Sequence, residues 1–366
     1  MRITVSKPSI VQAVQRCQSV VEKRNTVPIL SNVLLQAADN ALTITATDLE
    51  VGIRTRIAAN IQDSGATTVS ARKLFDIVKE LDAESDVELA VDEGFLTIQS
   101  GRAKFRLSIL PPEDFPDLKI EEDGITIHVS GHELADMIAA TGFAMSQDET
   151  RQYLTGTLFE VDDEHVLRLV ATDGHRLAMS EMRLEQSSGT SQCIVPRKAV
   201  MEIRRIAEES EEPIALTLGE RQVRLESGVH HLSSKLIDAR FPVYRDVIPQ
   251  GNPYTVTCSR SQLDQVLRRS MIVANEFTHD VRITFSQSGI NASAHNTEQE
   301  QADEFVEAEH GGPDVTIGFN AKYLRDALGS MKDDRVRLDI RDELSPVLMR
   351  EAGTDRTCHV IMPMRI

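Results

Sequence analysis

The sequence has no tryptophan and only four tyrosines among its 366 residues. Proteins that hold single-stranded nucleic acid commonly stack the bases on aromatic side chains, so this shortage argues against such a platform. No run of 18 or more apolar residues is present, which argues against a transmembrane helix. Met1 to Val5 has the pattern of a β-strand rather than of a signal peptide. We therefore expect a cytoplasmic protein that does not contact a membrane.

Cysteine and the common catalytic motifs are also scarce. Cys17, Cys193, Cys258 and Cys358 stand singly, with no C-x-x-C pair, which predicts buried free thiols and no metal site. The chain lacks a G-x-x-x-x-G-K-[ST] loop, a G-x-G-x-x-G turn, an H-E-x-x-H motif and a G-x-S-x-G elbow. We expect no bound cofactor, and no catalytic residues of these types.

An excess of positive charge is missing as well, because the formal net charge is −17. Such a value argues at first against nucleic acid as a partner. The distribution of the charge changes this interpretation. Amphipathic spacing predicts six helices, at 9–24, 72–81, 132–143, 197–209, 261–274 and 321–332. They carry fifteen basic and ten acidic residues, whereas the rest of the chain has a net charge of −22. Exposed helix faces often carry Lys and Arg, but a bias shared by five of the six helices suggests that they face a polyanion together.

What is present is an internal repeat. Ala171-Thr172-Asp173-Gly174-His175-Arg176-Leu177 closes an alternating apolar run, and Ala46-Thr47-Asp48-Leu49-Glu50 does the same 125 residues earlier. A degraded third copy is Ile290-Asn291-Ala292-Ser293-Ala294-His295-Asn296. Lys73, Lys198 and Lys322 keep this period, and so do Phe115-Pro116, Phe241-Pro242 and Met362-Pro363. Agreement of several registers predicts equivalent domains rather than a chance match.

We place these domains at 1–120, 125–249 and 253–366. Each contains the patterns of two helices and about eight short antiparallel strands. The predicted fold class is therefore α+β, with three tandem, structurally equivalent domains in which two helices pack on antiparallel sheet.

One strand near the end of the first domain has two interpretations. Residues 102–109 alternate between basic and apolar side chains, which is usual for a half-buried strand with one solvated face. The same pattern also suits an edge strand that pairs with a second chain. On the second interpretation, an acidic and apolar surface in the third domain of another copy is the counterpart. The predicted interface residues are Arg102, Lys104, Phe105, Leu107, Ile272, Val273, Glu298, Glu300, Asp303 and Glu304.

The repeated turns also admit a catalytic interpretation. Asp173 with His175, or Asp48 with Glu50, would supply part of a hydrolase site. A polar turn after a strand explains both pairs more simply, because Asp and Gly are turn formers.

The whole sequence resembles the β subunit of bacterial DNA polymerase III, the sliding-clamp family. The most specific motifs are the 171–177 segment, Val195-Pro196-Arg197-Lys198, 234–242, Gly318-Phe319-Asn320 and the terminal 360–366. The resemblance implies a head-to-tail homodimeric ring around double-stranded DNA. It also implies a processivity factor without an active site of its own. A peptide-binding scaffold that does not bind DNA is the remaining alternative.

The resemblance further implies partners and residues. An ATP-dependent clamp loader is needed because the chain has no nucleotide loop, and the replicative polymerase and other proteins attach through short peptide motifs. Contacts to DNA are expected without sequence specificity. The residues implied for them are Arg24, Arg72, Lys73, Gln147, Tyr153, Arg197 and Lys198.

A peptide pocket between the second and third domains is implied in the same way. Flexible Met side chains and an apolar cleft suit the Leu and Phe side chains of such motifs. Asp246 replaces a basic residue of better-known members, and Ile366 replaces a terminal Leu. The implied pocket residues are Leu154, Thr172, Gly174, His175, Arg176, Leu177, Pro242, Val247, Asn320, Tyr323, Val360, Met362, Pro363, Met364 and Arg365.

Overall fold

The computed structural model describes residues 1–21, 27–83, 85–118, 121 and 123–365. The chain divides into two compact units. The first compact unit contains Met1–His132 and Arg205–Leu236, and the second contains Glu133–Arg204 and Ile237–Ile366.

Within the described residues, each third of the chain has the order strand, α-helix, four or five strands, α-helix and three strands. The first third has β1 (Arg2–Ser6), α1 (Lys7–Val20), β2 (Asn32–Ala38), β3 (Ala41–Thr47), β4 (Val51–Ala58), β5 (Asn60–Asp63), β6 (Gly65–Ser70), α2 (Ala71–Glu80), β7 (Asp86–Asp92), β8 (Phe95–Ser100) and β9 (Ala103–Leu110). The second third has β10 (Ile125–Val129), α3 (Gly131–Thr141), β11 (Gly156–Val161), β12 (Val166–Thr172), β13 (Arg176–Arg183), β14 (Ser191–Pro196), α4 (Arg197–Glu209), β15 (Ile214–Leu218), β16 (Gln222–Ser227) and β17 (His230–Lys235). The last third has β18 (Tyr254–Ser259), α5 (Arg260–Ser270), β19 (Asp280–Ser286), β20 (Gly289–His295), β21 (Gln301–Val306), β22 (Ala308–His310), β23 (Val315–Asn320), α6 (Ala321–Ser330), β24 (Arg335–Ile340), β25 (Val347–Glu351) and β26 (Thr357–Ile361).

Sheets extend across the sequence repeats. In the first compact unit a thirteen-stranded sheet has the order β10-β15-β16-β17-β4-β3-β2-β6-β9-β8-β7-β1-β5. Its junction joins β17 to β4, with Ser233 opposite Gly52. In the second compact unit a nine-stranded sheet has the order β14-β11-β12-β13-β26-β25-β24-β18-β22, and a four-stranded sheet has the order β21-β20-β19-β23. There β13 pairs with β26, with Leu177 opposite Val360. The two repeat junctions are therefore built alike, each by an antiparallel pair.

Capping residues fix where the helices begin. The hydroxyls of Ser6, Ser70 and Ser259 accept a backbone N–H of α1, α2 and α5, respectively, and the Asn320 side chain accepts the Lys322 N–H of α6 at 2.9 Å. Such caps satisfy donors that have no partner inside the helix. The prediction was wrong at the end of α5, because Met271–Ala274 lies beyond the helix. Residues 22–24 of the first predicted helix lie outside the described residues.

Helices pack on sheets through their apolar faces. In the first compact unit α1 contacts α2, β3 and β4, and in the second α5 contacts α6, β20 and β21. All four cysteines are buried and none forms a disulfide. Within the described residues, no helix is long and apolar enough to span a membrane. The predicted α+β class with helices on antiparallel sheet is confirmed.

Candidate functional site

The Thr172–Arg176 turn joins β12 to β13 and contains four of the residues predicted for the peptide pocket. Asp173 Oδ1 accepts the backbone N–H groups of His175 and Arg176 at 2.9 and 3.0 Å. The Thr172 hydroxyl donates to Arg176 O at 2.6 Å and accepts the Gly174 N–H at 3.1 Å. Gly174 has φ +91°, a backbone conformation that side chains disfavour. The turn is thus fixed by its own sequence, as the polar-turn interpretation predicted.

Arg176 connects this turn to the third repeat. Its Nε donates to Asp173 Oδ2 at 3.0 Å, Nη1 to Asp326 Oδ2 at 2.6 Å and Nη2 to Phe143 O at 2.9 Å. The guanidinium also lies over the rings of Phe143 and Tyr323, 5.2 and 4.6 Å from their centroids. Only 9% of Arg176 is exposed, so the residue is structural as well as close to the pocket.

The C-terminal segment lies beside this turn. Met362 N donates to His175 O at 3.0 Å, and Met364 N donates to Gly318 O at 2.8 Å. His175 is exposed, and its ring stacks on Tyr323 with a centroid separation of 6.4 Å. Met362, Pro363 and Met364 are half-buried and Arg365 is exposed. Backbone hydrogen bonds, rather than side-chain packing alone, therefore hold this segment beside the turn.

An apolar cluster lies under these residues. Leu177 and Val360 belong to it as buried members, and Tyr153 and Val247 pack against it half-buried. Leu154 is buried, Pro242 is exposed, and Asn320 is half-buried as the cap of α6. Hence the structure brings Leu177, Val247 and Val360 into one cluster and links His175 to Tyr323 and Met362. Burial alone does not distinguish Leu177 and Val360 from ordinary core residues.

Several residues that pack in this region or bind Arg176 were not predicted from the sequence. Phe241 and Tyr244 are buried in the same cluster, and Phe143 and Asp326 hold Arg176. The repeated Phe-Pro pairs were a usable indication for Phe241, since they mark equivalent connections. Nothing in the sequence linked Asp326 to Arg176, which is 150 residues away.

Three family models together match nearly all of the chain. The N-terminal, central and C-terminal domains of the DNA polymerase III beta subunit match residues 1–119, 128–243 and 245–365, respectively. The chain belongs to the DNA polymerase III beta subunit family. It is a sliding clamp, an accessory processivity factor and not a catalyst, as the sequence predicted.

Relatives of this chain are similar to it in sequence and in structure along the full length. The "Beta sliding clamp" of Pseudomonas putida is 38% identical over 369 residues, covering 100% of both chains. That of Escherichia coli K12 is 36% identical over 367 residues, also with 100% coverage of both. The crystal structure of the Pseudomonas aeruginosa subunit superposes with a TM-score of 0.96 at 38% identity and 100% coverage of both chains. The resemblance to the sliding-clamp family and the three-domain clamp fold, both predicted from the sequence, are therefore confirmed.

The hydrolase hypothesis is wrong for this beta subunit. Besides the family assignment, the Asp173 carboxylate is occupied by two backbone N–H groups and by Arg176 Nε. Asp48 Oδ1 accepts the N–H groups of Glu50 and Val51 at 2.9 and 2.7 Å. Both carboxylates therefore form turns.

The residues predicted to contact DNA lie in both compact units. Arg72 and Lys73 are exposed in the first turn of α2. Gln147 is exposed, and Arg197 and Lys198 are half-buried at the start of α4. Arg197 Nη2 donates to Met145 O at 2.8 Å, and burial, followed by the nearby Arg176, lowers the pKa of Arg197. Tyr153 packs on the pocket cluster, and Arg24 lies outside the described residues.

The predicted interface strand β9 is more open than an ordinary half-buried strand. It pairs with β8 from Ala103 to Ser108, whereas its pairing with β6 is confined to Leu110 and Ile109. Arg102 and Lys104 are exposed, Leu107 is half-buried, and 39% of Phe105 is exposed. On the apolar face of β9, Phe105 is thus exposed and Leu107 is covered only in part.

The predicted counterpart surface has a matching edge. β21 is the last strand of its sheet and pairs with β20. Glu298, Glu300 and Asp303 are exposed, Val273 is half-buried, and 79% of Ile272 is exposed. Glu304 differs, because both of its oxygens accept from Arg269 at 2.6 Å. This intrachain pair was not expected from the sequence.

Proposed function

We propose that this sliding clamp acts in the cytoplasm as a head-to-tail homodimeric ring. In the ring, β9 of each copy would pair with β21 of the other. The observation that carries the proposal is the open edge of β9, whose pairing with β6 covers just its last two residues. An unpaired edge with exposed apolar side chains favours pairing with another chain.

Charge and apolar surface on the two edges are complementary. Basic Arg102 and Lys104 accompany Phe105 on one, and acidic Glu300 and Asp303 accompany Phe305 on the other. Of Phe305, 51% is exposed. Opposite charges favour the head-to-tail pairing over the pairing of two identical edges. Domains 1–120, 125–249 and 253–366 would then give six similar domains around the ring.

Sedimentation of two variants tests the ring. Phe105→Asp places a charge in the proposed interface and should convert dimer to monomer. Leu344→Asp, at a residue that is 66% exposed, is the matched control and should leave the dimer intact. A wild-type monomer at micromolar concentration, or a Phe105→Asp dimer as stable as the wild type, would contradict the proposal.

We further propose that the ring encloses double-stranded DNA without reading its sequence. Arg24, Arg72, Lys73, Gln147, Tyr153, Arg197 and Lys198 are the proposed contacts, and the Lys and Arg side chains among them would bind the phosphate backbone. Loading requires an ATP-dependent clamp loader. After loading onto nicked circles, the protein should stay bound, and it should leave once the circle is linearised. Equal retention on linear and circular DNA would contradict encirclement and favour ordinary binding.

The pocket around Leu177, Val247 and Val360 is the proposed attachment site for the replicative polymerase and other partners with short peptide motifs. Its apolar floor lies beside exposed His175 and half-buried Met362. Pseudomonas aeruginosa and Bartonella birtlesii relatives have been solved with griselimycin bound, which supports a ligand site in this family. Tethering raises the local concentration of a polymerase at the primer end and so gives processivity.

A further inference from the structure

The segment that follows the Phe241-Pro242 pair forms one wall of the proposed peptide pocket. Tyr244–Asp246 is a short 3-10 helix, and the Val247 N–H donates to Tyr244 O at 3.1 Å. Tyr244 is buried in the cluster of Leu177 and Val360, and Val247 packs against that cluster. Where the Val247 side chain lies therefore depends on how this helix is held.

A single carboxylate on β11 holds it. Glu160 Oε2 accepts the Tyr244 hydroxyl at 2.5 Å, and its two oxygens accept the Arg245 guanidinium at 2.7 and 3.2 Å. Arg245 also lies over the Tyr244 ring, 4.8 Å from its centroid. Burial and the hydrogen bond to Glu160 raise the pKa of Tyr244, so the phenol stays a donor at physiological pH. Charge-assisted hydrogen bonds of this kind are the strong ones.

Glu160 is itself oriented from the sheet. It lies opposite Arg168 in the β11–β12 register, with Arg168 Nη1 4.0 Å from its carboxylate. Arg168 also pairs with Asp162, and its Nε donates to Glu181 at 2.8 Å. Just 12% of the Glu160 side chain is exposed. A largely buried carboxylate with several charged partners is held in one orientation, so Glu160 links the sheet to the wall of the proposed pocket.

We propose that Glu160 is a positioning residue for the peptide pocket, acting through Tyr244 and Arg245 to place Val247 without touching the peptide. This inference rests on the proposed peptide-binding function. This role explains why a largely buried carboxylate lies behind the pocket wall, where the proposed peptide does not reach it.

Peptide affinity of matched variants tests this role. The probe is a fluorescein-labelled hexapeptide carrying Leu and Phe, titrated with the full-length protein. Glu160→Ala should weaken binding about tenfold, a size typical for loss of a well-packed contact, and Tyr244→Phe about threefold. Glu181→Gln is the control, because it touches Arg168 but not the 3-10 helix, and it should change affinity less than about twofold. Wild-type affinity of Glu160→Ala would overturn the inference.

A double-mutant cycle with Val247→Ala separates positioning from general destabilisation. If Glu160 acts through Val247, Glu160→Ala should weaken peptide binding less in the Val247→Ala background than in the wild type. Additive losses in the cycle would overturn the inference. Should Glu160→Ala not fold, Tyr244→Phe replaces it in the cycle with the same criterion. If the wild-type protein does not bind the peptide at all, the proposed pocket function fails first.

Discussion

The Thr47–Val51 turn in the first compact unit and the Thr172–Arg176 turn in the second have the same hydrogen-bonded frame. In both, the Asp accepts the N–H groups two and three residues later, and the Thr hydroxyl donates four residues ahead. Leu49 and Gly174 both have positive φ, +79° and +91°. Asn296, in the degraded third copy, still accepts the N–H groups of Glu298 and Glu300. The local pattern thus specifies a turn in every repeat.

What surrounds the two turns differs. Glu50 stands at the position of His175 and forms an ion pair with Lys235 at 3.0 Å. Val51 stands at the position of Arg176, and Gly52 at that of Leu177. A side chain at Gly52 would clash with Leu118, since a Cβ there would lie 2.6 Å from Leu118 Cδ2. The same frame therefore carries an exposed His175 stacked on Tyr323 in one junction, and an ion-paired Glu50 with Leu118 packed close to Gly52 in the other.

The largest effect is expected from Arg176→Ala. It removes three hydrogen bonds of a buried guanidinium and leaves Asp173 and Asp326 without their cation, so unfolding should become easier by about 4 kcal/mol. Val51→Ala at the equivalent position of the other turn should cost about 2 kcal/mol, because it removes only apolar contacts. Urea denaturation measures both. An Arg176→Ala cost no larger than that of Val51→Ala would show that the guanidinium contacts do not stabilise the turn.

A second comparison concerns one buried position at each repeat junction. His359 on β26 lies opposite Ala178 on β13, and Leu232 on β17 lies opposite Ile53 on β4. Burial, followed by Arg176, lowers the pKa of His359 to about 4. His359 binds a proton near pH 6.5 in the unfolded chain but not in the folded one. Its contribution to the free energy of unfolding should therefore be constant above that pH and fall by about 1.4 kcal/mol per pH unit towards pH 4.

His359→Leu, which copies the first unit, should flatten that fall. Denaturant midpoints at pH 7 and pH 5 measure it. His230, whose pKa burial also lowers to about 4, leaves a residual pH dependence in the variant. An unchanged difference between the two midpoints would show that His359 does not titrate as described.

Peptide binding sharpens the comparison further. His175→Ala should weaken binding about tenfold, or about 1.4 kcal/mol, because the ring is exposed beside the pocket and held by Tyr323. Glu50→Ala at the equivalent position should leave affinity unchanged. Fluorescence polarisation with the labelled hexapeptide gives both values. A similar loss in Glu50→Ala would place a peptide site at the first junction too.

The smallest effect is expected from Leu49→Gly. Leu49 has φ +79° and is half exposed, so the substitution relieves backbone strain and removes little packing. The greater freedom of glycine in the unfolded chain offsets part of this gain. Unfolding should become harder by about 0.5 kcal/mol, measured by the denaturant midpoint. A destabilised variant would indicate that the exposed Leu49 side chain packs productively.

Features encoded by neighbouring residues were predicted from the sequence, whereas features that depend on distant segments were not. Helix starts were predicted within two residues, because a capping side chain and amphipathic spacing are both written in adjacent positions. The predicted end of α5 was wrong, because Ile272 and Val273 continue the apolar pattern beyond the last residue of the helix. The pairing of Glu304 with Arg269 was also missed, because ion pairs between distant segments depend on the folded arrangement.

The three repeats, the turn frame and the α+β class were readable from the amino-acid sequence, because they arise from periodicity and from hydrogen bonds within a few residues. The open edge of β9, the ion pair of Arg176 with Asp326 and the hydrogen bond of Tyr244 to Glu160 became known from the folded chain. Each of these depends on which strands become neighbours, and no short stretch of chain contains that information.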